Sequence, residues 1–212
     1  MKRPTNSNDE KKMKRAVFLD RDGVINPLVW NPPFSSYDSP HRPEDMTLLP
    51  GVAKALIALA KAGYLLIVAS NQPSAAKGKC SLSDIAVTHA KLEKLLKEAA
   101  GPVVKDFFYC YHHPESVEPK LKKNCRCRKP GSESLEVAAQ KYGIDLRASW
   151  MVGDRDVDIL CGQNAGTKTV LLDYPLSREF RTGSAKPDYQ AVDLSGAAQI
   201  ILNSLAREPD LV

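Results

Sequence analysis

The chain repeats one pattern almost from end to end: a short apolar run, then a segment with the periodicity of an amphipathic helix. "AVFLD" (Ala16 to Asp20), "YLLIVASN" (Tyr64 to Asn71), "VKDFFYCY" (Val104 to Tyr111), "SWMVGD" (Ser149 to Asp154) and "TKTVLLD" (Thr167 to Asp173) read as strands. "GVAKALIALAKAG", "SLSDIAVTHAKLEKLLKEAAG", "SESLEVAAQKYG" and "DLSGAAQIILNSLA" read as helices, with Ser81 or Ser83 as an N-cap and Gly63 and Gly143 as stops. Strands that are apolar on both faces and alternate with helices predict an α/β fold. The expected form is a Rossmann-like, doubly wound, mainly parallel sheet with helices on both faces. Residues 26–50, rich in Pro, Ser and Asn, interrupt the pattern and read as a long loop of the kind that carries function.

In such a sheet, ligands sit beyond the carboxyl ends of the strands. Three strands here end in chemistry: "FLDRDG", "VASNQ" and "MVGDRDVD". Asp20 and Asp22 leave the first strand; Asp154, Asp156 and Asp158 leave the fourth. A lone Asp after a strand is most often a cap or turn residue. Several carboxylates gathered at neighbouring strand ends repel one another unless a cation sits among them. Mg²⁺, a hard ion with oxygen ligands, resolves that conflict and recruits phosphate groups.

A second cluster lies off this pattern. "CYHHPESVEPKLKKNCRC" reads Cys-x-His, twelve residues, Cys-x-Cys. Cys125 and Cys127 are too close for an unstrained disulfide. With Cys110 and His112 they make the donor set of a closed, four-coordinate structural zinc site, the other reading being free thiols. His113 is expected beside the ion or at the surface. Of the five cysteines, Cys80 and Cys161 stand apart and read as small, partly buried fillers.

Together "DRDGV", "ASNQ", Lys129 and "GDRDVD" resemble, in order and placement, the four motifs of the haloacid dehalogenase-like phosphatases. The resemblance implies a Mg²⁺-dependent phosphoric monoester hydrolase with a minimal cap. By it, Asp20 is the nucleophile, Asp22 the general acid and base, and Ser70 and Lys129 hold the phosphoryl oxygens and the developing charge. Asp20, Asp154 and the backbone carbonyl of Asp22 are the implied Mg²⁺ ligands, with Asp158 in support and Asp156 outside the chemistry. The zinc loop, running straight into "RKP", narrows the likeness to the D-glycero-D-manno-heptose 1,7-bisphosphate phosphatases and the related histidinol-phosphate phosphatases. That implies removal of the C7 phosphate of the heptose bisphosphate, with histidinol phosphate as the alternative substrate. Asn71, Gln72, Arg128 and Arg155 are then the expected substrate-binding residues, a solvated surface charge being the other reading of Arg128. The heptose enzymes usually continue the second motif as Asn-Gln-Ser-Gly-Ile-Ala-Arg-Gly, whereas this chain has "NQPSAAKG". Lys77 cannot make the bidentate contact of an arginine, and the 26–50 loop is longer than the group's.

The chain's 212 residues suit one domain. The expected division is a flexible basic tail over 1–14 and a single phosphatase domain over 15–212, with the zinc loop at 110–130 as an insert. Of the net charge of +5, residues 1–15 carry six Lys/Arg against two Asp/Glu, a surplus of four. That tail and "KLKKNCRCRK" motivate a rival reading, a zinc-containing nucleic-acid-binding module. Against it stand the acidic strand ends, which repel a phosphate backbone without metal. A non-catalytic relative is disfavoured because no motif residue is missing. No apolar run is long enough to span a bilayer, and the N-terminus has no apolar signal core. The expectation is therefore a cytoplasmic monomer acting on a small phosphorylated sugar, with neither nucleic acid nor membrane as partner.

Overall fold

The computed structural model describes residues 13–206. Its core is a six-stranded sheet. The strands are β1 (Ala16–Leu19), β4 (Leu65–Asn71), β5 (Val104–Cys110), β6 (Trp150–Gly153), β7 (Lys168–Leu172) and β8 (Tyr189–Ala191). They run in the order β5-β4-β1-β6-β7-β8, all parallel. The helices are α1 (Val52–Lys61), α2 (Leu82–Ala100), α3 (Glu133–Tyr142), α4 (Asp156–Ala165) and α5 (Leu194–Leu205).

The two-residue period of a strand builds two cores from one sheet. Val17 and Leu19 of β1, with Leu66 and Val68 of β4, face α1, α2 and α5 through Leu56, Leu92 and Ile201. Their neighbours Ala16, Phe18, Ile67 and Ala69 face α3 and α4 through Leu135, Ala138 and Cys161. Helices therefore cover both faces, as the doubly wound pattern requires. The semi-buried reading of Cys161 needs correction: it is fully buried, and its thiol donates to the Gly131 carbonyl at 3.2 Å. Among the described residues no helix is long and apolar enough to cross a membrane.

Two elements escape a periodicity reading. Helix α4 begins inside an acidic motif and buries Asp156, Asp158, Ile159, Cys161 and Gly162. It therefore shows no polar stripe opposite an apolar one. At Gly162 an added Cβ would lie 2.6 Å from the Met151 side chain, so the glycine lets α4 sit directly on β6. Strand β8 is three residues long and largely exposed. The 26–50 stretch is not a plain loop. It folds an antiparallel hairpin, β2 (Val29–Asn31) against β3 (Ser36–Asp38), whose Trp30 and Tyr37 rings meet edge to face at 5.4 Å.

Lys14, expected within the flexible tail, is hydrogen-bonded to the body: it donates to Gly143 O and accepts from Asp145 N, both at 2.8 Å. The rest of the predicted basic tail, apart from Met13, lies outside the described residues.

Candidate active site

Register brings the three strand ends together. Leu19 pairs with Val68 on one side and with Val152 on the other, so the chain leaves β1, β4 and β6 at one level. Asp20, Ser70 and Asp154 emerge side by side there. The turn after β1 needs Gly23, whose φ is +84° and whose missing Cβ would lie 2.1 Å from Asp154 Oδ2. Gly153 serves Asp158 in the same way, since a Cβ would lie 2.1 Å from that side chain.

Lys129 sits at the centre, only 4% exposed. Its Nζ lies 2.8 Å from Asp20 Oδ1 and 2.6 Å from Asp158 Oδ1, and it donates to Ala69 O at 2.8 Å. Burial works against its charge, but Asp158 and Asp20 outweigh burial and hold its pKa above the ordinary lysine value. Asn71 clasps the same residue's backbone: Lys129 N donates to Asn71 Oδ1 at 3.0 Å, and Asn71 Nδ2 donates to Lys129 O at 3.1 Å.

One cation does not balance the carboxylates. Asp20, Asp154 and Asp158 offer oxygens that all lie within 4.8 Å of one another. Asp154 Oδ1 is buried without a hydrogen-bond partner. Burial, then the charges of Asp158 and Asp20, push the Asp154 carboxyl up to about 8. An orphaned, buried carboxylate oxygen in an acidic trio fits a hard divalent cation. Two residues missed by motif reading set Asp154's pose. Ser177 Oγ donates to its Oδ2, and Arg181 Nε donates to its backbone carbonyl at 2.8 Å. They come from a short 3-10 helix after β7, Pro175–Phe180, and its C-cap, which carry no motif of their own. Asp156 points elsewhere and accepts from Thr182 N and Oγ1 at 2.7 and 2.8 Å.

Asp22 is surrounded by donors. Arg21 forks onto it at 3.0 and 3.1 Å, Asn26 Nδ2 reaches it at 2.8 Å, Ser39 Oγ at 2.9 Å and Gln72 Nε2 at 2.7 Å. Burial raises its pKa, but Arg21 and these hydrogen bonds overcome that and hold it below the ordinary aspartate value. The substrate-facing expectation for Gln72 is therefore corrected. Gln72 is 1% exposed, and its amide is spent on Asp22 and on Ser70 Oγ at 3.0 Å.

A cavity of about 210 Å³ opens over these groups. Asp20, Asp22, Asn71, Lys77, Arg128, Lys129 and Arg155 line it. Lys77 is exposed at the rim and Arg128 is half-buried, and desolvation lowers the pKa of both. For Lys77 the neighbouring cations Lys79, Arg128 and Arg155 add to the effect. Cationic side chains crowded around an open space make an anion-binding mouth. Arg155 is braced with its guanidinium 4.4 Å from the Phe180 ring centroid.

The second cluster is assembled as well. None of the five cysteines forms a disulfide, and Cys80 is partly exposed. Cys110, Cys125 and Cys127 sulfurs lie 3.0 to 3.5 Å apart. His112 Nδ1 is 3.4 Å from Cys127 Sγ and 3.8 Å from Cys110 Sγ. A tetrahedron with zinc–sulfur arms of about 2.3 Å has edges of roughly 3.8 Å, so the donor set fits the ion with slight expansion. His113 stays out of it, and its Nδ1 accepts from Glu115 N at 3.2 Å. Arg128 Nη1 donates to His112 O at 3.4 Å, which ties the cavity's arginine to the cluster.

The chain's two departures from the expected heptose-enzyme pattern touch each other. His41, after the hairpin, meets Ser74 Oγ at 3.0 Å, and Lys79 pairs with Asp38. The hairpin is thereby latched onto the altered "NQPSAAKG" segment.

A doubly wound sheet that gathers aspartates from two strand ends and a serine from a third around a buried lysine defines a haloacid dehalogenase-like phosphoric monoester hydrolase. A family model described as HAD-hydrolase-like matches residues 126–197. The chain is 37% identical to D-glycero-D-manno-heptose-1,7-bisphosphate 7-phosphatase of Thermosynechococcus vestitus, over 90% of this chain and 97% of that one. It is 34% identical to D-glycero-beta-D-manno-heptose-1,7-bisphosphate 7-phosphatase of Haemophilus ducreyi, over 91% and 94%. Its fold matches D,D-heptose 1,7-bisphosphate phosphatase of B. bronchiseptica, solved with magnesium and phosphate, with a TM-score of 0.73, 27% identity, and 90% and 99% of the two chains covered. The chain belongs to the heptose-1,7-bisphosphate phosphatase family of the HAD-like hydrolases.

Proposed function

We propose that this chain removes the C7 phosphate of D-glycero-D-manno-heptose 1,7-bisphosphate through an aspartyl-phosphate. The observation that carries the reading is Lys129, buried between Asp20 and Asp158 at the floor of a cavity whose mouth is cationic. Asp20 attacks phosphorus, and the bond from phosphorus to the sugar oxygen breaks. Asp22 delivers its proton to the departing alkoxide. The substrate's negative phosphoryl group opposes ionisation of Asp22 and so favours the protonated form this step needs. Asp22, now a carboxylate, takes a proton from water. That water attacks the phosphoryl group, freeing phosphate and restoring Asp20. Lys129 holds Asp20 in line and offsets charge on the phosphoryl oxygens.

Asp20 and Asp154, with the Asp22 backbone carbonyl, would hold Mg²⁺. The ion supplies charge neutralisation for the phosphoryl group. Cys110, His112, Cys125 and Cys127 would hold a structural zinc. Four protein ligands leave it no open coordination position. Arg128, Lys77 and Arg155 are suited to the second phosphate, for which a planar guanidinium is the better partner. A bisphosphate explains why so many cations line so small a mouth, and histidinol phosphate, with one phosphate, does not need them. The reading places the enzyme in the cytoplasm as a monomer meeting neither nucleic acid nor membrane; the strand-end carboxylates support the exclusion of nucleic acid.

The test is phosphate release with Mg²⁺ from each anomer of heptose 1,7-bisphosphate and from histidinol phosphate. The expected result is loss of one phosphate from the bisphosphate, with at least tenfold lower kcat/KM on histidinol phosphate, about 1.4 kcal/mol. Preference for histidinol phosphate would reassign the substrate while leaving the hydrolase chemistry in place.

A further inference from the structure

Asp22 is the residue whose direction matters most in the reading above. It must aim at the leaving oxygen while its neighbour Asp20 aims at phosphorus. Its aim is set by the Arg21 fork, because three of its hydrogen bonds come from that one guanidinium. Arg21 is 1% exposed, and Asp22 is its ion-pair partner at 3.0 Å. Its Nη1 has no hydrogen-bond acceptor. What that guanidinium has instead is an aromatic face: its central carbon lies 5.6 Å from the Tyr109 ring centroid.

Tyr109 is fixed in turn. Its hydroxyl meets His89 Nδ1 at 3.1 Å, and His89 Nε2 lies 3.5 Å from Glu93 Oε2. The His89 ring stands edge to face with both Phe107 and Tyr109, at 4.7 and 5.1 Å between centroids. Burial favours the neutral form of His89. A neutral imidazole has one donor and one acceptor nitrogen. With Glu93 able only to accept, Nε2 carries the proton and Nδ1 accepts from the Tyr109 hydroxyl. The dipoles then run in one direction: a surface carboxylate, an imidazole, a phenol, a guanidinium on the ring face, and the Asp22 carboxylate.

We propose that Tyr109 and His89 are positioning residues for the acid step, acting on Asp22 through Arg21. The proposal rests on the reading of Asp22 as the general acid. Neither residue lines the reaction cavity, and neither belongs to a catalytic motif. Their effect is confined to the step in which a proton goes to the leaving group.

That confinement gives the test. A sugar alkoxide needs the proton to leave, whereas p-nitrophenolate leaves without it. Single-turnover release of the leaving group is measured for the sugar phosphate and for p-nitrophenyl phosphate in Tyr109→Leu, Tyr109→Phe, His89→Ala and, as reference, Asp22→Asn. The sugar-to-aryl rate ratio is expected to fall about tenfold in Tyr109→Leu and about threefold in His89→Ala, against about 10²-fold or more in Asp22→Asn. Tyr109→Phe, which keeps the ring, should recover most of the Tyr109→Leu loss, and KM should stay within twofold throughout. His89 is on a partly exposed face of α2, so its variant reports even if Tyr109→Leu does not fold. An unchanged ratio in both variants, or equal losses on both substrates, would overturn the proposal. If Asp22→Asn itself left the ratio unchanged, the acid assignment would fall first, and this inference with it.

Discussion

Two clusters in this molecule pose the same electrostatic problem and solve it in different ways. Asp20, Asp154 and Asp158 are carboxylates crowded at the ends of rigid parallel strands. Cys110, the last residue of β5, meets Cys125 and Cys127, thiols on the irregular chain between β5 and α3. In the first, strand register places Asp20, Gly23 and Gly153 leave room for Asp154 and Asp158, and Ser177 and Arg181 hold Asp154. In the second, few backbone hydrogen bonds hold the ligands. Under the proposed zinc reading the geometry there would depend on the ion, because metal binding in such loops is itself folding energy. On the proposed reading, one site would use the fold to hold a metal, and the other would use a metal to hold the fold. The two meet at Lys129, two residues beyond Cys127, which the loop delivers between Asp20 and Asp158.

The sharpest way to break this comparison is at that meeting point. Lys129→Ala leaves two buried carboxylates facing each other. Turnover should fall roughly 10²-fold or more, and stability by about 3–5 kcal/mol in denaturant titration. Retained stability would mean that Lys129 is not the counter-charge its contacts indicate. Metal removal should then separate the clusters. Stripping Mg²⁺ should abolish phosphate release and leave the melting temperature within a few degrees. Cys125→Ser should lower the melting temperature by roughly 5 °C or more and eject zinc measured by elemental analysis. Equal thermal responses would erase the distinction drawn here.

A smaller effect is expected at the hairpin latch. His41→Ala removes the contact to Ser74 and should cost about 1 kcal/mol, with KM for the sugar phosphate rising while kcat holds. The smallest concerns Asp156. Donors from Thr182 and Ser184 hold its pKa below the ordinary aspartate value despite burial. Its folded pKa is depressed, so its contribution is complete above about pH 4 and fades as pH falls through the folded value. Asp156→Ala should therefore destabilise by about 1 kcal/mol at neutral pH, with the difference from wild type shrinking in acid.

Much of this was legible in the sequence, for physical reasons. Strands buried on both faces must be apolar throughout, so β1, β4, β6 and β7 announce themselves. Carboxylates at strand ends and Cys-x-His with Cys-x-Cys are conspicuous because such residues are expensive to cluster. What stayed hidden depends on packing rather than pattern. Helix α4 buries polar residues and shows no stripe, and β8 is short and exposed. Ser177 and Arg181 reach Asp154 from a short 3-10 helix and its cap, too brief to leave a periodic pattern. Gln72 belongs to the right motif, but its orientation toward Asp22 instead of the cavity is a rotamer choice that no sequence spacing encodes.

In the proposed reaction Asp20 carries the phosphoryl group. Quenching the enzyme during turnover of heptose 1,7-bisphosphate with borohydride reduces an acyl phosphate to the alcohol, and peptide mass mapping then locates it. The account predicts homoserine at residue 20 and nowhere else, absent from Asp20→Asn. An unmodified residue 20 under conditions of full turnover, or the label on another carboxylate, would contradict it.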